Sequence, residues 1–362
     1  MNALLALIRL ALELVYFFMK LAPVKNRVCM LSRESDTPPL DFLLLEDELK
    51  KRDSSLEVVY VCRLLPTKSA SPVSLLLNML ACMRALARSK ACVTDTYSMA
   101  VSMLTHRRGT VIIQIWHALG AVKKFGLQCE DTGLGRLSSM RMHKNYTYIT
   151  CASEQTAHIY AEAFGTPRER ILTLGMPRLD YIRGDSAQKQ ANAAALGERY
   201  AQLAGKTVIL YAPTFREGAS PDPGELLSVL DTEKYALIVK SHVLGGHEGS
   251  GGIIYDDSCV FDLFEICDYV VTDYSAVSFE AAAAGKRLIF WCPDIAEYSA
   301  GRGLNINPAK EYPGIAFTTA ADVYALISGG SYPYEVLKDF TDKYIQSGGS
   351  CCAGIADILT AQ

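Results

Sequence analysis

The chain has 362 residues, half of them hydrophobic, which is enough apolar material for two domains of ordinary size and argues against disorder. A formal net charge of −3, with no basic run interleaved with aromatic residues, excludes nucleic acid as a predicted partner. Eleven cysteines without Cys-x-x-Cys, His-Glu-x-x-His or Asp-x-Asp patterns predict neither a disulfide framework nor a metal site. We therefore expect no metal and no cofactor, and a reducing, cytoplasmic setting.

Residues 1–22 are almost entirely apolar, but their few polar side chains fall on one stripe of a helix. The stripe consists of Asn2, Arg9, Glu13, Tyr16 and Lys20. Charges interrupt every window long enough to span a bilayer, and residues 21–24 do not form a clean signal-peptide cleavage site. We predict an amphipathic helix in the membrane interface, although a helix packed on the protein's own core or on a partner is the alternative. The side chains expected to face anionic headgroups are Lys20, Lys25, Arg27 and Arg33.

From residue 27 onward, short β-branched runs alternate with helical patterns, which is typical of parallel sheets with crossover helices. The strands predicted in the first half are Arg27–Ser32, Leu56–Cys62, Ala91–Thr94, Thr110–Trp116 and Tyr146–Cys151. Ser153 has the properties of an N-cap for a helix that ends at Gly165. The strands predicted in the second half are Thr207–Tyr211, Tyr235–Lys240, Tyr269–Thr272 and Arg287–Trp291.

Two Gly- and Pro-rich loops, at residues 218–224 and 244–252, follow strands of the second half. They therefore lie at strand carboxyl ends, where open α/β sheets bind ligands. The predicted fold class is α/β of the GT-B type, with two Rossmann-like domains facing a cleft. The predicted parts are a membrane-interface helix at 1–22, an N-terminal acceptor domain at 23–184, a C-terminal nucleotide-donor domain at 185–320, and C-terminal helices at 321–362 packing back toward the N-terminal domain.

The strongest local signal is a buried strand that runs into the polar turn Thr272–Ser275 and then into a helix. Asp273 or Ser275 can cap that helix. Free backbone N–H groups at its start, with the hydroxyls of Ser275 and Ser278, would form an anion site suited to a pyrophosphate. An ordinary strand, cap and helix is the alternative for this segment alone.

His117 and His242 each stand where an apolar run ends and a loop begins. A histidine in that position can serve as a general base, because its unperturbed pKa of about 6.5 lies close to working pH. Two histidines facing each other across a cleft suit phosphoryl or glycosyl transfer, one taking the acceptor proton and the other holding the developing phosphate charge. The other histidines are interpreted as surface or structural residues: His106, His143, His158 and His247.

Three arginines, Arg178, Arg216 and Arg302, are further candidates for phosphate binding. Each guanidinium can form two hydrogen bonds to a phosphate. A surface ion pair is the commoner role of an arginine and remains the alternative for each of them.

Taken together, the sequence resembles the CDP-glycerol glycerophosphotransferase family, the teichoic-acid primases and polymerases of Gram-positive bacteria. Six ordered blocks between Thr110 and Gly314 carry the resemblance. They are Trp116-His117, Gly175–Asp180, Tyr211–Arg216, Lys240–His242, Thr272–Ser275 and Asp294–Gly303. Their order along the chain makes the resemblance far more specific than any one block does.

The resemblance implies a peripheral enzyme at the cytoplasmic face of the cell membrane. It would transfer a polyol phosphate from CDP-glycerol or CDP-ribitol to a hydroxyl of a lipid-linked saccharide acceptor and release CMP. By position, His117 would activate the acceptor hydroxyl and His242 would contact the transferred phosphate. The donor side would comprise Arg216, Lys240, Ser241, Thr272, Asp273, Ser275, Ser278, Glu280 and Arg302. The acceptor side would comprise Trp116, Lys123, Arg178 and Asp180.

The sequence departs from the family pattern at Ala118, Ala276 and Glu280, where the family commonly has Gly, Ser and Asp. These replacements preserve size or charge, so the mechanism is expected to survive, while the donor is either CDP-glycerol or CDP-ribitol. One alternative is a GT-B glycosyltransferase that uses a nucleotide sugar. Another is a catalytically inactive membrane-bound scaffold, against which the two histidines argue.

Overall fold

The computed structural model describes residues 3–65, 71–129, 142–214, 221–240 and 252–361, apart from the side chains of residues 3–5. The chain divides into two compact units. Unit 1 comprises residues 1–119, 126–180 and 347–362, and unit 2 comprises residues 120–125 and 181–346.

Unit 1 is built on a six-stranded parallel sheet in the order β2-β1-β3-β4-β5-β6. Its strands are β1 Lys25–Ser32, β2 Glu57–Cys62, β3 Ser89–Thr94, β4 Val111–Gln114, β5 Tyr148–Thr150 and β6 Ile171–Leu172. Its helices are α1 Ala3–Met19, α2 Leu40–Arg52, α3 Pro72–Arg88, α4 Met99–Met103, α5 Glu154–Phe164 and, near the end of the chain, α15 Cys351–Thr360. Helix α6, Pro177–Arg183, spans the point where the chain passes into unit 2.

The core of unit 1 lies between β1 of this sheet and helices α2 and α15. Apolar side chains of all three elements are fully buried there, which removes their surface from water and stabilises the sheet. These side chains are Val28, Met30, Phe42, Leu45, Leu49, Ile355 and Leu359.

Unit 2 contains a second six-stranded parallel sheet, in the order β12-β11-β10-β7-β8-β9. Its strands are β7 Thr207–Tyr211, β8 Tyr235–Lys240, β9 Ile253–Asp256, β10 Tyr269–Thr272, β11 Arg287–Trp291 and β12 Ala316–Phe317. Its helices are α7 Ala187–Arg199, α8 Pro223–Val229, α9 Val260–Ile266, α10 Val277–Ala283, α11 Ile295–Gly301, α12 Pro308–Glu311, α13 Ala320–Ser328 and α14 Tyr334–Tyr344.

The four strands predicted in the second half are confirmed with their bounds, and those of the first half are confirmed with ends shifted by one to two residues. The prediction missed β6 and β12, which have two residues each, and β9, whose short apolar run directly follows a glycine-rich segment. The helix predicted after Ser153 is also confirmed: the Ser153 hydroxyl caps the N–H of Thr156, and Gly165 ends the helix in the left-handed conformation.

Each sheet has one topological switch point, which is a pair of neighbouring strands whose chain connections run toward opposite edges of the sheet. In unit 1 it lies between β1 and β3, and in unit 2 between β7 and β10. Ligands of open α/β sheets bind at the carboxyl ends of the two strands that flank such a point. The strand order therefore marks one candidate ligand position in each unit.

Helix α1 turns its polar stripe toward the protein. Tyr16 is buried, and the Glu13 carboxylate accepts the N–H and the hydroxyl of Thr105 at 2.9 Å. The opposite side is apolar and exposed, with Leu10 67% and Phe18 61% accessible. None of the described helices is long and apolar enough to cross a membrane.

The basic residues predicted to face headgroups make contacts inside unit 1. Lys20 donates to a backbone carbonyl at 2.7 Å, and Lys25 and Arg27 both form ion pairs with Glu57. The Arg33 side chain approaches the carbonyl of Tyr97 at 3.5 Å. Glu57 therefore compensates part of the positive charge of Lys25 and Arg27, and the contact of these four basic residues with headgroups stays a prediction.

Candidate active site

His117 lies three residues beyond β4, on the loop at the carboxyl end of that strand, and is exposed. Its Nδ1 is 3.3 Å from the backbone carbonyl oxygen of Asp95, which follows the neighbouring strand β3. A carbonyl only accepts, so this contact favours the tautomer with the proton on Nδ1. The lone pair is then on Nε2, as a general base requires.

Trp116, immediately before His117, has a φ of +61°, which an L-residue with a large side chain rarely adopts. The buried side chain of Gln114 supports this conformation. Its Oε1 accepts the N–H of Trp116 at 2.8 Å, and its Nε2 donates to the carbonyl of Thr96 at 3.0 Å and to the hydroxyl of Tyr146 at 3.1 Å. Pairing in β4 ends at Gln114 because the chain turns at Trp116, so the strand is shorter than the predicted Thr110–Trp116.

Asp95 is a buried carboxylic acid next to this turn, 4% exposed. Burial raises its pKa from the usual 3.8 to about 6, although hydrogen bonds from the side chains of Ser32 and Thr96 act in the opposite direction. Its Oδ1 has no hydrogen-bond partner among the described residues. Neither Asp95 nor Gln114 was predicted from the sequence; a single amide inside an apolar strand is the signal that could have revealed Gln114.

In unit 2 the motif Thr272–Ser275 lies at the switch point between β7 and β10. The hydroxyl of Thr272 donates to the carbonyl of Ala212 at 2.7 Å, and Oδ1 of Asp273 accepts the N–H of Thr214 at 2.8 Å. Thr272 and Asp273 are fully buried. Both side chains thus join the ends of the two central strands, and their predicted contact with the donor stays a prediction.

The helix after this motif, α10, begins at Val277 and has seven residues. The N-cap position is Ala276, whose side chain makes no capping hydrogen bond. Of the two predicted capping residues, Ser275 accepts the N–H of Val277 through its Oγ at 3.4 Å, whereas the Asp273 carboxylate bonds to Thr214. The hydroxyl of Ser278 donates to the carbonyl of Ser275 at 2.8 Å, and Glu280 is buried. Of the predicted phosphate-binding hydroxyls of this segment, that of Ser275 is the most accessible.

Tyr274 connects two of the sequence blocks within unit 2. Its hydroxyl donates to Asp294 at 3.1 Å, and its ring stacks on Tyr298 with centroids 4.0 Å apart. These contacts fix the turn before Ser275 against the start of α11. Arg302, at the end of the same helix, is exposed.

Lys240 ends β8, and its ammonium group donates to the carbonyl of Asp257 at 3.0 Å. Burial lowers the pKa of Lys240. Lys123, predicted on the acceptor side, belongs to unit 2. Its backbone forms an antiparallel β-bridge with Leu304, and its carbonyl accepts the side-chain N–H of Asn305 at 3.0 Å.

Arg178 and Asp180, also predicted on the acceptor side, have structural partners in unit 1. Arg178 forms a two-pronged ion pair with the buried Asp41 of α2, with a shortest distance of 2.6 Å. Asp180 accepts the N–H groups of Cys351 and Cys352 at 2.8 Å, which caps the start of α15 and lowers the pKa of Asp180 despite its partial burial. Their roles in acceptor binding stay predictions.

Three predicted site residues, Arg216, Ser241 and His242, lie outside the described residues. So does His247, one of the four histidines interpreted as surface or structural. The other three are structural or surface residues as interpreted: His106 bonds to Tyr16 and Val101, His143 is buried with its pKa lowered to about 4 by desolvation, and His158 is exposed beside Glu154. Within the described ranges, no cluster of three or more His, Cys, Asp or Glu side chains could hold a metal ion.

Two parallel, doubly wound sheets place this protein in the GT-B-like α/β fold class. The chain belongs to the CDP-glycerol:poly(glycerophosphate) glycerophosphotransferase family, whose sequence model matches residues 14–349. It is thus an enzyme of the CDP-polyol phosphotransferase kind, and both the predicted family and the predicted fold class are confirmed.

Similar proteins agree with this assignment. The chain is 32% identical to the teichoic acid glycerol-phosphate primase of Bacillus subtilis (strain 168), over 71% of this chain and 69% of that protein. It is 28% identical to the teichoic acid ribitol-phosphate primase of Bacillus spizizenii, over 94% of this chain and 92% of that protein. A structure of the wall teichoic acid polymerase TagF with CDPG has the same fold, with a TM-score of 0.76, 20% identity, and coverage of 98% of this chain and 93% of that one.

Proposed function

We propose that this protein transfers glycerol phosphate or ribitol phosphate from the corresponding CDP-polyol to a hydroxyl of a lipid-linked saccharide acceptor, with release of CMP. Membership of the family supports the reaction class, and similarity to both kinds of primase supports the two donors. The single structural observation that carries the proposal is the exposed His117, oriented by the Asp95 carbonyl at the end of a central strand.

In this reaction the acceptor hydroxyl oxygen attacks the phosphorus atom that bears the polyol. The new P–O bond forms as the bond from that phosphorus to the bridging oxygen breaks, and the electron pair leaves with CMP. Nε2 of His117 takes the hydroxyl proton, and the contact from Nδ1–H to the Asp95 carbonyl stabilises the resulting imidazolium. No covalent enzyme intermediate is needed.

We assign donor binding to the turn at the switch point of unit 2. Ser275 offers its hydroxyl there, and the Tyr274–Asp294 bond holds the turn in place. Hydrogen-bond donors fixed in this way stabilise phosphate charge without reorganising during the reaction. Arg302, exposed at the end of α11, can add a cation to the same donor.

We further propose that the enzyme works as a peripheral protein at the cytoplasmic face of the cell membrane. The exposed apolar side of α1 supports this location, since an apolar surface of that extent on a helix with an inward polar stripe is costly in water. A lipid-borne acceptor would then be presented in the plane in which the enzyme is bound.

The function is tested by measuring nucleotide release, as CMP from CDP-glycerol and CDP-ribitol and as UDP from a UDP-sugar, in the presence of membrane lipids that contain the acceptor. We expect turnover with one or both CDP-polyols and a loss of at least a hundredfold in kcat for His117→Ala. His158→Ala, which removes an exposed histidine of the same unit, is the matched control and should be unchanged. Turnover with the UDP-sugar alone, or an undiminished His117→Ala variant, would overturn the proposal.

A further inference from the structure

A cavity of about 280 Å³ lies in unit 1 at the switch point of its sheet. Ser32 and Arg33, at the end of β1, and residues 96–100, which follow β3, form one wall. Helix α3 forms another. The cavity therefore occupies the position where an open α/β sheet binds its ligand, in the unit that contains His117 rather than the unit that contains the Thr272–Ser275 turn.

The chain itself links this cavity to His117. The carbonyl that orients His117 belongs to Asp95, and the next residue, Thr96, already lines the cavity. Consecutive Cα atoms are about 3.8 Å apart, so the cavity wall starts one residue from the contact that positions the proposed base. A ligand in the cavity would lie close to the group that accepts the proton.

The lining of the cavity is chemically mixed. Leu75 and Met79 of α3 provide apolar surface, whereas Asn78, Ser98 and Arg33 provide polar groups. Within the described part of the chain, no carboxylate lies at ion-pair distance from the Arg33 guanidinium, whose protein contact is the Tyr97 carbonyl at 3.5 Å. A guanidinium without a carboxylate in a partly apolar cavity is suited to a phosphate.

Helix α3 also connects the cavity to an apolar surface. Leu75 and Met79 line the cavity, while Val73, Leu76 and Leu77 of the same helix are exposed. Helix α1, whose outer side is apolar, packs against α3. A single molecule could therefore bind its phosphate in the cavity and lay its hydrocarbon chain along this surface.

We infer that this cavity binds the phosphate-bearing head of the lipid-linked acceptor, with Arg33 contacting the phosphate and the lipid chain lying on the exposed side of α3. The inference rests on the proposed function for the identity of the ligand as an acceptor. Its binding chemistry, a phosphate joined to an apolar chain, rests on the cavity and on the exposed side of α3.

The binding test uses calorimetry with dihexanoyl phosphatidic acid, a lipid phosphate that stays monomeric, and with inorganic phosphate, in the absence of donor. We expect the wild-type protein to bind the lipid phosphate at least tenfold more tightly than inorganic phosphate. Arg33→Met should weaken lipid phosphate binding about tenfold or more. Arg170→Met, which removes an exposed arginine of the same unit outside the cavity, is the control and should bind as the wild type does.

A second variant, Asn78→Trp, fills the cavity from α3 and should abolish binding, with its circular dichroism spectrum and Tm reporting whether it folds. Unchanged binding by Arg33→Met, or equal affinity for the lipid and inorganic phosphates, would overturn the inference. In the CMP-release assay Arg33→Met should raise the KM of the acceptor and leave that of the donor unchanged. Normal CMP release by Arg33→Met at every acceptor concentration would refute acceptor binding in this cavity and leave the proposed function standing. Binding of the lipid phosphate by a wild-type protein that releases no CMP would refute the proposed function and leave the binding site standing.

Discussion

The side-chain oxygen of Gln114 accepts the backbone N–H of Trp116 at 2.8 Å, so a buried amide holds the residue before His117 in a left-handed conformation. Such a conformation costs about 1 kcal/mol or more for a residue with a Cβ atom. It persists here because Gln114 is itself fixed by two further hydrogen bonds. The backbone turn that projects His117 from the sheet is thus stabilised from inside the core.

Gln114→Leu keeps the size of this side chain but removes all three hydrogen bonds. We expect Trp116 to relax and His117 to move, which should lower kcat by roughly tenfold to a hundredfold with little change in the KM of the CDP-polyol. Steady-state kinetics well below the Tm would measure this. Gln188→Leu, at an exposed position in unit 2, is the control. Full kcat in a folded Gln114→Leu variant would contradict the role of Gln114.

Asp95 should make the stability of the protein depend on pH. Its pKa is about 6 in the folded state against 3.8 as the usual value, so the folded state binds the proton more tightly. The stability that this group contributes is complete below about pH 4 and is lost as the pH rises through about 6. The Asp95→Asn variant cannot ionise at this position. Its free energy of unfolding should therefore increase relative to that of the wild type by about 2–3 kcal/mol as the pH rises from about 4 to 7.

Urea unfolding of both proteins at the two pH values would measure this gain. The exposed Asp47→Asn variant controls for the removal of a carboxylate. An Asp95→Asn variant whose advantage does not grow with pH would show that Asp95 is ionised at low cost.

Gly120 lies against the ring of Phe279, the third residue of α10. A Cβ atom at Gly120 would come within 2.5 Å of the ring atoms, and Phe279 is fully buried. Gly120→Ala should therefore destabilise unit 2 by about 1–3 kcal/mol. Gly197→Ala, in helix α7 with no atom within 4 Å of the new Cβ, should leave stability unchanged or raise it by up to about 1 kcal/mol. Equal Tm values for the two variants would show that the ring moves aside freely.

Arg178 and Asp41 form an ion pair with little exposure, 15% and 3%. Arg178→Met leaves the Asp41 carboxylate buried without its cation, so we expect a loss of about 3–5 kcal/mol in the free energy of unfolding. Chemical unfolding would measure the loss, and Arg170→Met serves again as the control. A raised KM for the acceptor without loss of stability would instead support the acceptor-binding role predicted from the sequence.

The exposed side of α1 should govern binding to membranes. Replacing Leu10 and Phe18 together by Ser should leave the Tm nearly unchanged, because both side chains are more than half exposed. It should also lower the partition coefficient of the protein for vesicles of mixed neutral and anionic lipids by at least tenfold. Leu43→Ser, at an exposed position on α2, is the control. Sedimentation with vesicles that is unaffected by the double substitution would count against the membrane location.

The amino-acid sequence determined four of the six strands of unit 2, the cap at Ser153 and the motif blocks, because these depend on residues close together in the chain. The period of an apolar strand or the chemistry of a helix cap is complete within about ten residues. Trp116-His117 was likewise recognisable as a strand end from its immediate neighbours.

Only the tertiary structure decided how the polar side chains of these segments are used. Arg178 pairs with Asp41, 137 residues away in the chain, and Asp180 caps a helix that begins 171 residues later. The polar stripe of α1 turns inward because Thr105 supplies partners for Glu13. No local pattern reports such contacts, since each hydrogen bond depends on which helices and loops the fold brings together and not on the residues next to it in the chain.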